Sequence, residues 1–126
     1  MPLNKLEQRL FELTGQLLAF NEEAYGQFVD ITNAEDYEVD FYGEVKPFAD
    51  RVKKAADEWE PLARDWVMEN KPKYLYPIQI KNTFENIEMT SVIAWQKDTK
   101  PKRFKERIKS IEYVLAYLLE QLNGSH

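Results

Sequence analysis

The sequence has no cysteine, one histidine and four glycines, and each shortage excludes a class of function. Without cysteine the chain has no disulfide, no thiolate metal site and no cysteine nucleophile. The one histidine, His126, is the last residue, so di-iron bundle motifs, histidine-containing zinc sites and Ser-His-Asp chemistry lack a required group. The four glycines are isolated from one another, which leaves no phosphate-binding glycine loop. We therefore predict that the protein is not an enzyme and holds no cofactor or metal.

Long apolar runs are also missing. The longest stretch without a formal charge, residues 13–21, is shorter than the roughly 18 apolar residues that a membrane span needs. The first 12 residues carry four charges among their leucines, so they lack the apolar region of a signal peptide. With 126 residues, 44% of them hydrophobic, we predict one cytoplasmic domain over residues 1–126.

Apolar residues recur at steps of three and four along four stretches, which predicts four helices. We place them at about residues 3–31, 40–70, 78–97 and 101–122. This pattern predicts an all-α fold, an antiparallel up-down four-helix bundle. An intermolecular coiled coil would show the same spacing, but the short links favour packing within one chain.

Two of these helices contain an irregularity. The first apolar stripe includes Phe28 and Ile31 only after a slip of one residue. Pro47 and Pro61 interrupt the second helix, where a proline removes a hydrogen bond and clashes with the preceding turn. Two or three shorter helices would accommodate the two prolines. We favour one helix with proline kinks, because the apolar register passes through both prolines. In the third helix, we expect Trp95 to be partly exposed.

Charge is unevenly distributed along the chain. The net charge is −5, yet residues 97–109 contain seven basic and two acidic residues, which leaves −10 for the remainder. One interpretation is a surface for an acidic protein, a nucleic-acid backbone or a phosphate at the start of the fourth helix. The other is that this window faces the acidic link of residues 35–40, which an up-down topology places at the same end. We favour the second interpretation.

The link between the second and third helices alternates tyrosine with other residues between two prolines. We favour Tyr74 and Tyr76 as a clamp over the open end of the bundle. The alternative is a contact surface with Lys71 and Lys73, in the manner of aromatic-basic surfaces that bind single-stranded nucleic acid. The candidate interaction surface that combines this link with the basic window is Lys73, Tyr74, Lys100, Lys102, Arg103 and Arg107.

Three short segments resemble a known family. They are residues 40–47 (Asp-Phe-Tyr-Gly-Glu-Val-Lys-Pro), residues 71–74 (Lys-Pro-Lys-Tyr) followed by Gln79 and Ile80, and residues 102–105 (Lys-Arg-Phe-Lys). In order and spacing they resemble the YppE-like proteins of Bacillus and relatives, a small family of unknown function. The resemblance runs from about residue 40 to residue 122. It implies a four-helix bundle in the cytoplasm of a Gram-positive bacterium and supplies no activity and no catalytic residue.

Three functions remain open. The first is a protein-interaction or small regulatory module with an unidentified protein partner. The second is a nucleic-acid-associated protein using the basic window, which the negative net charge disfavours. The third is a carrier of a small apolar ligand held between the helices. We expect no membrane partner, and a monomer is slightly favoured.

Overall fold

The computed structural model describes residues 3–124, and within that range the secondary structure is entirely helical. Four α-helices follow in chain order: α1 (Lys5–Gly26), α2 (Lys46–Asn70), α3 (Pro77–Ile93) and α4 (Pro101–Gly124). The predicted all-α class is confirmed. None of these helices is both long and apolar enough to cross a membrane.

Two π-helical turns accompany the α-helices. The first, Gln27–Thr32, continues α1, and the second, Phe41–Val45, leads directly into α2. Their wider hydrogen bonding appears in the bonds from Asn33 N to Phe28 O and from Val45 N to Asp40 O, each spanning five residues. Both turns lie at the end of the molecule where the link between α1 and α2 crosses.

The helices pack as a four-helix bundle. Each helix packs against its neighbours in the chain, and α1 also packs against α4 to close the ring. Of the two diagonal pairs across the bundle, α1 and α3 pack more closely than α2 and α4. Because each link is short, consecutive helices run in opposite directions, as expected for an up-down bundle. The links α1–α2 and α3–α4 therefore lie at one end, and the link α2–α3 lies at the other.

The starts of the helices follow from local chemistry. The Asn4 side chain accepts a hydrogen bond from Glu7 N at 2.8 Å, and Glu7 Oε1 accepts one from Asn4 N at 3.1 Å. This capping box satisfies two backbone donors at the start of α1. The helices α3 and α4 each begin with proline, whose missing N–H has no partner to lose at that position.

The inner faces of the helices form one core. Its centre is Trp59, which is fully buried, and its Nε1 donates to Thr14 Oγ1 at 3.0 Å. The Thr14 hydroxyl in turn donates to Leu10 O at 2.7 Å, so both polar groups are satisfied without water. The apolar stripes of the sequence thus fill the core, and this small network fixes how α1 and α2 face each other.

The second helix is continuous, as favoured from its register. Helix α2 runs through Pro61 without a break. Pro47 is the second residue of α2, directly after the π turn, and Lys46 N beside it still donates to Phe41 O. The preceding turn, Phe41–Val45, joins α2 directly, so the helical path from residue 41 to residue 70 is uninterrupted.

Four details of the sequence interpretation were wrong. The π turn after α1 adds a residue, so Thr32 takes the inner position and Ile31 is 48% exposed. Helix α3 ends at Ile93 instead of residue 97, because the Thr99 hydroxyl donates to Ile93 O at 2.8 Å and closes the turn. That turn buries Trp95, which is only 9% exposed. Helix α4 continues to Gly124, two residues past its predicted end.

Candidate interaction surfaces

The basic window lies on the first half of α4 and in the link before it. We call its seven residues the basic surface: Lys97, Lys100, Lys102, Arg103, Lys105, Arg107 and Lys109. Six of their side chains are exposed and Arg107 is half-buried. The side chains project on both sides of the inward stripe that contains Phe104 and Ile108. The guanidinium of Arg107 contacts the sulfur of Met89 on α3.

The cations of the basic surface form no ion pairs with other residues of the range 3–124. On α2, by contrast, Lys46 pairs with Asp50 at 2.8 Å, and Lys53 pairs with Asp57 at 3.1 Å. Among residues 3–124, no carboxylate oxygen lies within 4.0 Å of a basic-surface nitrogen. The first turn of α4 contains no acidic residue, so its positive dipole end adds to the positive charge.

The acidic link lies beside the basic surface without neutralising it directly. The topology prediction is confirmed, because Lys97 Nζ donates to Glu35 O at 3.2 Å and Thr32 Oγ1 donates to Ala94 O at 2.7 Å. Both bonds end on backbone carbonyls. Within the described range, the link carboxylates form no ion pair with the basic surface, so the favoured internal neutralisation is not realised as direct contacts.

The structure separates the six predicted surface residues into two groups. The Tyr117 hydroxyl donates to Lys73 O at 2.6 Å, which places Lys73 and Tyr74 beside the second half of α4. Tyr117 is sixteen residues beyond Pro101, a distance of about 24 Å along the helix. Lys100, Lys102, Arg103 and Arg107 therefore share one end, while Lys73 and Tyr74 lie at the other, and the six do not form one surface.

The interpretation of Tyr74 and Tyr76 as a clamp was wrong. Their side chains are 66% and 59% exposed, whereas Leu75 between them is 2% exposed and closes this end of the core. The backbone achieves this through positive φ angles of 48° at Lys71 and 64° at Tyr74. Residues other than glycine rarely adopt this left-handed backbone conformation. The local reversal turns Leu75 inward and leaves both tyrosines in solvent.

A groove that the sequence did not reveal lies between the two π turns. We call it the acidic groove; its volume is about 450 Å³, and its walls carry the carboxylates of Glu23, Asp30 and Glu44. Trp95 also lines this groove. The segment of residues 40–47, noted above for its family resemblance, supplies one wall. Its contribution was missed because the other walls come from distant parts of the chain.

The second π turn is held by the residue that precedes it. The Asp40 carboxylate accepts a hydrogen bond from Gly43 N at 2.9 Å. Nearby, burial raises the pKa of Tyr37, and the charges of Glu44 and Asp40 raise it further. The Tyr37 hydroxyl is buried and has no hydrogen-bond partner among residues 3–124. This end of the molecule therefore contains a polar group that the described residues do not satisfy.

Other kinds of site find little support in the described residues. No group of three or more histidine, cysteine, aspartate or glutamate side chains within residues 3–124 is arranged to hold a metal ion. His126 lies outside the described residues. A cavity between α1, α2 and α3, lined partly by Asn21 and Ser91, has about 10 Å³. That volume is about the minimum for one water molecule.

Taken together, the fold and its surfaces define a small all-helical bundle with two oppositely charged surfaces at one end. A family model described as a bacterial domain of unknown function, DUF1798, matches residues 14–122. The chain belongs to this family. No curated protein matches the chain.

Solved structures agree with this assignment. A protein of unknown function from Listeria innocua is 31% identical, covers 95% of each chain and has a TM-score of 0.88. A DUF1798 domain from Staphylococcus aureus is 25% identical over 91% of this chain and 96% of its own, with a TM-score of 0.81. YppE from Bacillus subtilis is 23% identical over 94% and 95% of the two chains, with a TM-score of 0.86. The resemblance to YppE-like proteins is confirmed.

Proposed function

We propose that the protein is a non-catalytic interaction module whose basic surface binds an acidic patch on a protein partner. The observation that carries this proposal is the absence of carboxylate partners for the basic surface within residues 3–124. The ion pairs of α2 show that this chain places acids beside lysines elsewhere, as between Lys46 and Asp50. On α4 the spacing from Lys102 to Glu106 would allow such a pair, yet none forms.

A compact acidic protein surface fits better than a nucleic acid. Binding to a phosphate backbone extends over many charges and gains affinity from each one that is neutralised. Here the basic surface adjoins the link that contains Glu35, Asp36 and Glu38, whose carboxylates would repel an extended phosphate chain. A folded partner with a local acidic patch can contact the basic surface and avoid that link. Electrostatic attraction of this kind raises the association rate and selects the partner's orientation.

The carrier hypothesis has less support. An apolar ligand between the helices needs an enclosed space of several hundred Å³. The cavity between α1, α2 and α3 has about 10 Å³. Trp59, Leu115 and Leu118 are fully buried at the centre of the bundle, and their side chains fill the space that such a ligand would need.

The test compares charge reversals at the two ends of the molecule. The first variant combines Lys102→Glu with Arg103→Glu on the basic surface. The matched control combines Lys5→Glu with Lys81→Glu, two exposed positions at the opposite end, and changes the net charge by the same amount. Tagged wild-type, reversed and control proteins capture partners from an extract of the native cells, with and without nuclease. Circular dichroism verifies that all three have equal helix content.

We expect a protein that is recovered with the wild type and the control, is lost with the reversed variant and survives nuclease. Recovery of the same proteins with all three would remove the basic surface from the proposal. Recovery of nucleic acid with the wild type, or loss of every partner on nuclease treatment, would replace it with the nucleic-acid hypothesis. Recovery of no specific partner with the wild type would contradict the interaction module itself.

A further inference from the structure

Exposed aromatic residues lie at the end of the bundle that also carries the basic surface. In the π turn Phe41–Val45, Tyr42 is 80% exposed and Phe41 is 51% exposed. Their rings contact each other edge to face, with centroids 5.2 Å apart. Three further apolar side chains of the same end are exposed, namely Val29, Ile31 and Val39. Exposed apolar side chains gathered at one end are typical of a surface that binds a protein.

Carboxylates accompany these rings. Glu38, Asp40 and Glu44 are exposed and form no ion pair within 4.0 Å among residues 3–124. We call these three residues, with Phe41 and Tyr42, the acidic corner, because the π turn leads directly into α2. Lysine and arginine side chains bind carboxylates through charged hydrogen bonds and bind aromatic rings through cation–π contacts. The acidic corner therefore favours a basic protein surface.

The basic surface of the same chain has the matching chemistry, but it lies on the diagonally opposite corner. The helices occupy the four corners of the bundle in chain order, so α2 and α4 are diagonal to each other. Since neighbouring axes in helix packing are 8–10 Å apart, the diagonal axes are separated by about 13 Å, with the core between them. Both α2 and α4 begin at the end where the links α1–α2 and α3–α4 cross. One end thus presents cations on one corner and carboxylates with aromatic rings on the other.

A two-fold axis pairs these two corners between two copies of the chain. When two bundles meet end to end about an axis parallel to the line from α1 to α3, the α4 corner of each copy faces the α2 corner of the other. Every contact then occurs twice, as in an isologous dimer. An axis parallel to the line from α2 to α4 would instead place like charges against each other. The charge pattern therefore selects one orientation.

We propose that the acidic patch bound by the basic surface is the acidic corner of a second copy of this chain, in a two-fold end-to-end dimer. This inference rests on the proposed function, because it names the partner of the same surface. Cations of each copy pair with the carboxylates of the other and lie over its Phe41 and Tyr42 rings. A second copy carries both signs of charge in the required arrangement. The end of a four-helix bundle is about 20 Å across, so the dimer buries on the order of 1,000 Å² and is weak, with a dissociation constant in the micromolar range.

The test is sedimentation velocity of the full-length chain at low and high salt, from about 5 to 500 μM, on either side of a micromolar dissociation constant. We expect a dimer at low salt that weakens at high salt, because exposed charges are screened. Two variants reverse one corner each: Lys102→Glu with Arg103→Glu, and Glu38→Lys with Glu44→Lys. Since symmetry repeats each contact, either variant loses four ion pairs. At up to about a factor of five each, the dimer should weaken by at least about a hundredfold.

Mixing the two reversed variants gives the most specific result. In each variant alone, the reversed positions face charges of their own sign. In the mixed dimer both contacts join opposite charges, so we expect the mixture to dimerise and neither variant alone to do so. This recovery also shows that both variants fold. Matched reversals at the opposite end should dimerise like the wild type: Lys5→Glu with Lys81→Glu, and Glu69→Lys with Glu120→Lys.

The aromatic rings are tested separately from the charges. Tyr42→Ala removes a ring from the acidic corner without changing the net charge. An exposed cation–π contact that occurs twice should make this variant dimerise about tenfold more weakly. The matched control is Tyr74→Ala, at the opposite end, where the side chain is 66% exposed. We expect the control to dimerise like the wild type, and equal dimerisation of both variants would contradict the ring contact.

Three results would overturn the dimer. They are a wild type that stays monomeric across this concentration range, a dimer that neither reversal weakens, and a mixture of the two variants that fails to associate. If the wild type is monomeric but a captured protein is still lost with the Lys102→Glu, Arg103→Glu variant, the proposed function stands and its partner is a different protein. If that variant also retains every captured protein, both the dimer and the proposed function fail.

Discussion

The same substitution, glycine to alanine, should have opposite effects at two positions of this chain. At Gly15, inside α1, no atom lies within 4 Å of the position that an added Cβ would occupy. Alanine there avoids the backbone entropy that glycine loses in a helix, so Gly15→Ala should stabilise the protein by about 0.5–1 kcal/mol. At Gly43 an added Cβ would lie 2.2 Å from Asp40 Oδ2 and 2.8 Å from Asp40 Cγ.

The clash at Gly43 removes a cap. Asp40 accepts the hydrogen bond from Gly43 N at 2.9 Å, and the carboxylate must leave that position to admit the new methyl group. Loss of such a cap costs up to about 2 kcal/mol, and the gain of about 0.5–1 kcal/mol from alanine as a helix former offsets only part of that cost. We expect Gly43→Ala to lower the free energy of unfolding by about 1 kcal/mol.

A third variant separates the clash from any other effect. In an Asp40→Ala background the carboxylate is absent, so Gly43→Ala should become neutral or slightly stabilising. The interaction energy between the two positions is then about 1 kcal/mol, the size expected for residues in contact. Urea unfolding followed by circular dichroism measures all of these values, with an unchanged m-value as the check that compactness is preserved. The reasoning fails if Gly43→Ala stabilises the protein as Gly15→Ala does, or if its cost persists without Asp40.

Three further predictions concern the core and the links. Thr14→Val should lower the free energy of unfolding in urea by about 1–3 kcal/mol, because the Trp59 indole loses its buried acceptor. The double variant with Trp59→Phe should lose less than the sum of the two single variants, and strict additivity would contradict the hydrogen bond. Leu75→Ala should lower the free energy of unfolding by roughly 2–4 kcal/mol and Tyr76→Ala by less than about 0.5 kcal/mol, since only Leu75 is buried. Equal losses of stability in thermal unfolding would contradict the burial of Leu75 in place of Tyr76. Burial, and then two nearby carboxylates, raise the pKa of Tyr37, so the neutral phenol is favoured in the folded state. The associated stability is present below the ordinary tyrosine pKa of about 10 and is lost as pH rises through the folded pKa. Tyr37→Phe should therefore lose less stability between about pH 9 and pH 11, and a loss equal to that of the wild type would contradict this effect.

The sequence was sufficient to predict the helices and their faces, because the apolar spacing reports directly which side of each helix meets the core. It was insufficient for the end of α3. Residues 94–97 contain no glycine or proline that would mark a stop. The helix ends there because two threonine hydroxyls bind its last carbonyls. Thr99, six residues further on, donates to Ile93 O, and Thr32, in the first π turn, donates to Ala94 O. A stop of this origin depends on tertiary contacts and leaves no local pattern.

The prediction for the link between α2 and α3 was wrong for a different reason. Large aromatic side chains between prolines suggested that Tyr74 and Tyr76 point inward. The left-handed conformation at Lys71 and Tyr74 reverses the chain so that Leu75 is the buried residue. Glycine or asparagine ordinarily marks such positions. Neither occurs here, so the signal was absent. The acidic groove was missed because three separated segments build it, and only the segment of residues 40–47 stood out.

The arrangement of charge at one end of the bundle determines what a partner can do there. The basic surface and the acidic groove lie at the same end, and the hydrogen bond from Lys97 Nζ to Glu35 O crosses the boundary between them. Their charges do not cancel in direct ion pairs, because the helices hold the two sets of side chains on different faces. A partner that matched only one sign would be repelled by the other. On the proposal that the basic surface binds an acidic protein patch, the neighbouring carboxylates would repel that patch in other orientations, so opposite charges at one end favour specificity over tight but indiscriminate binding.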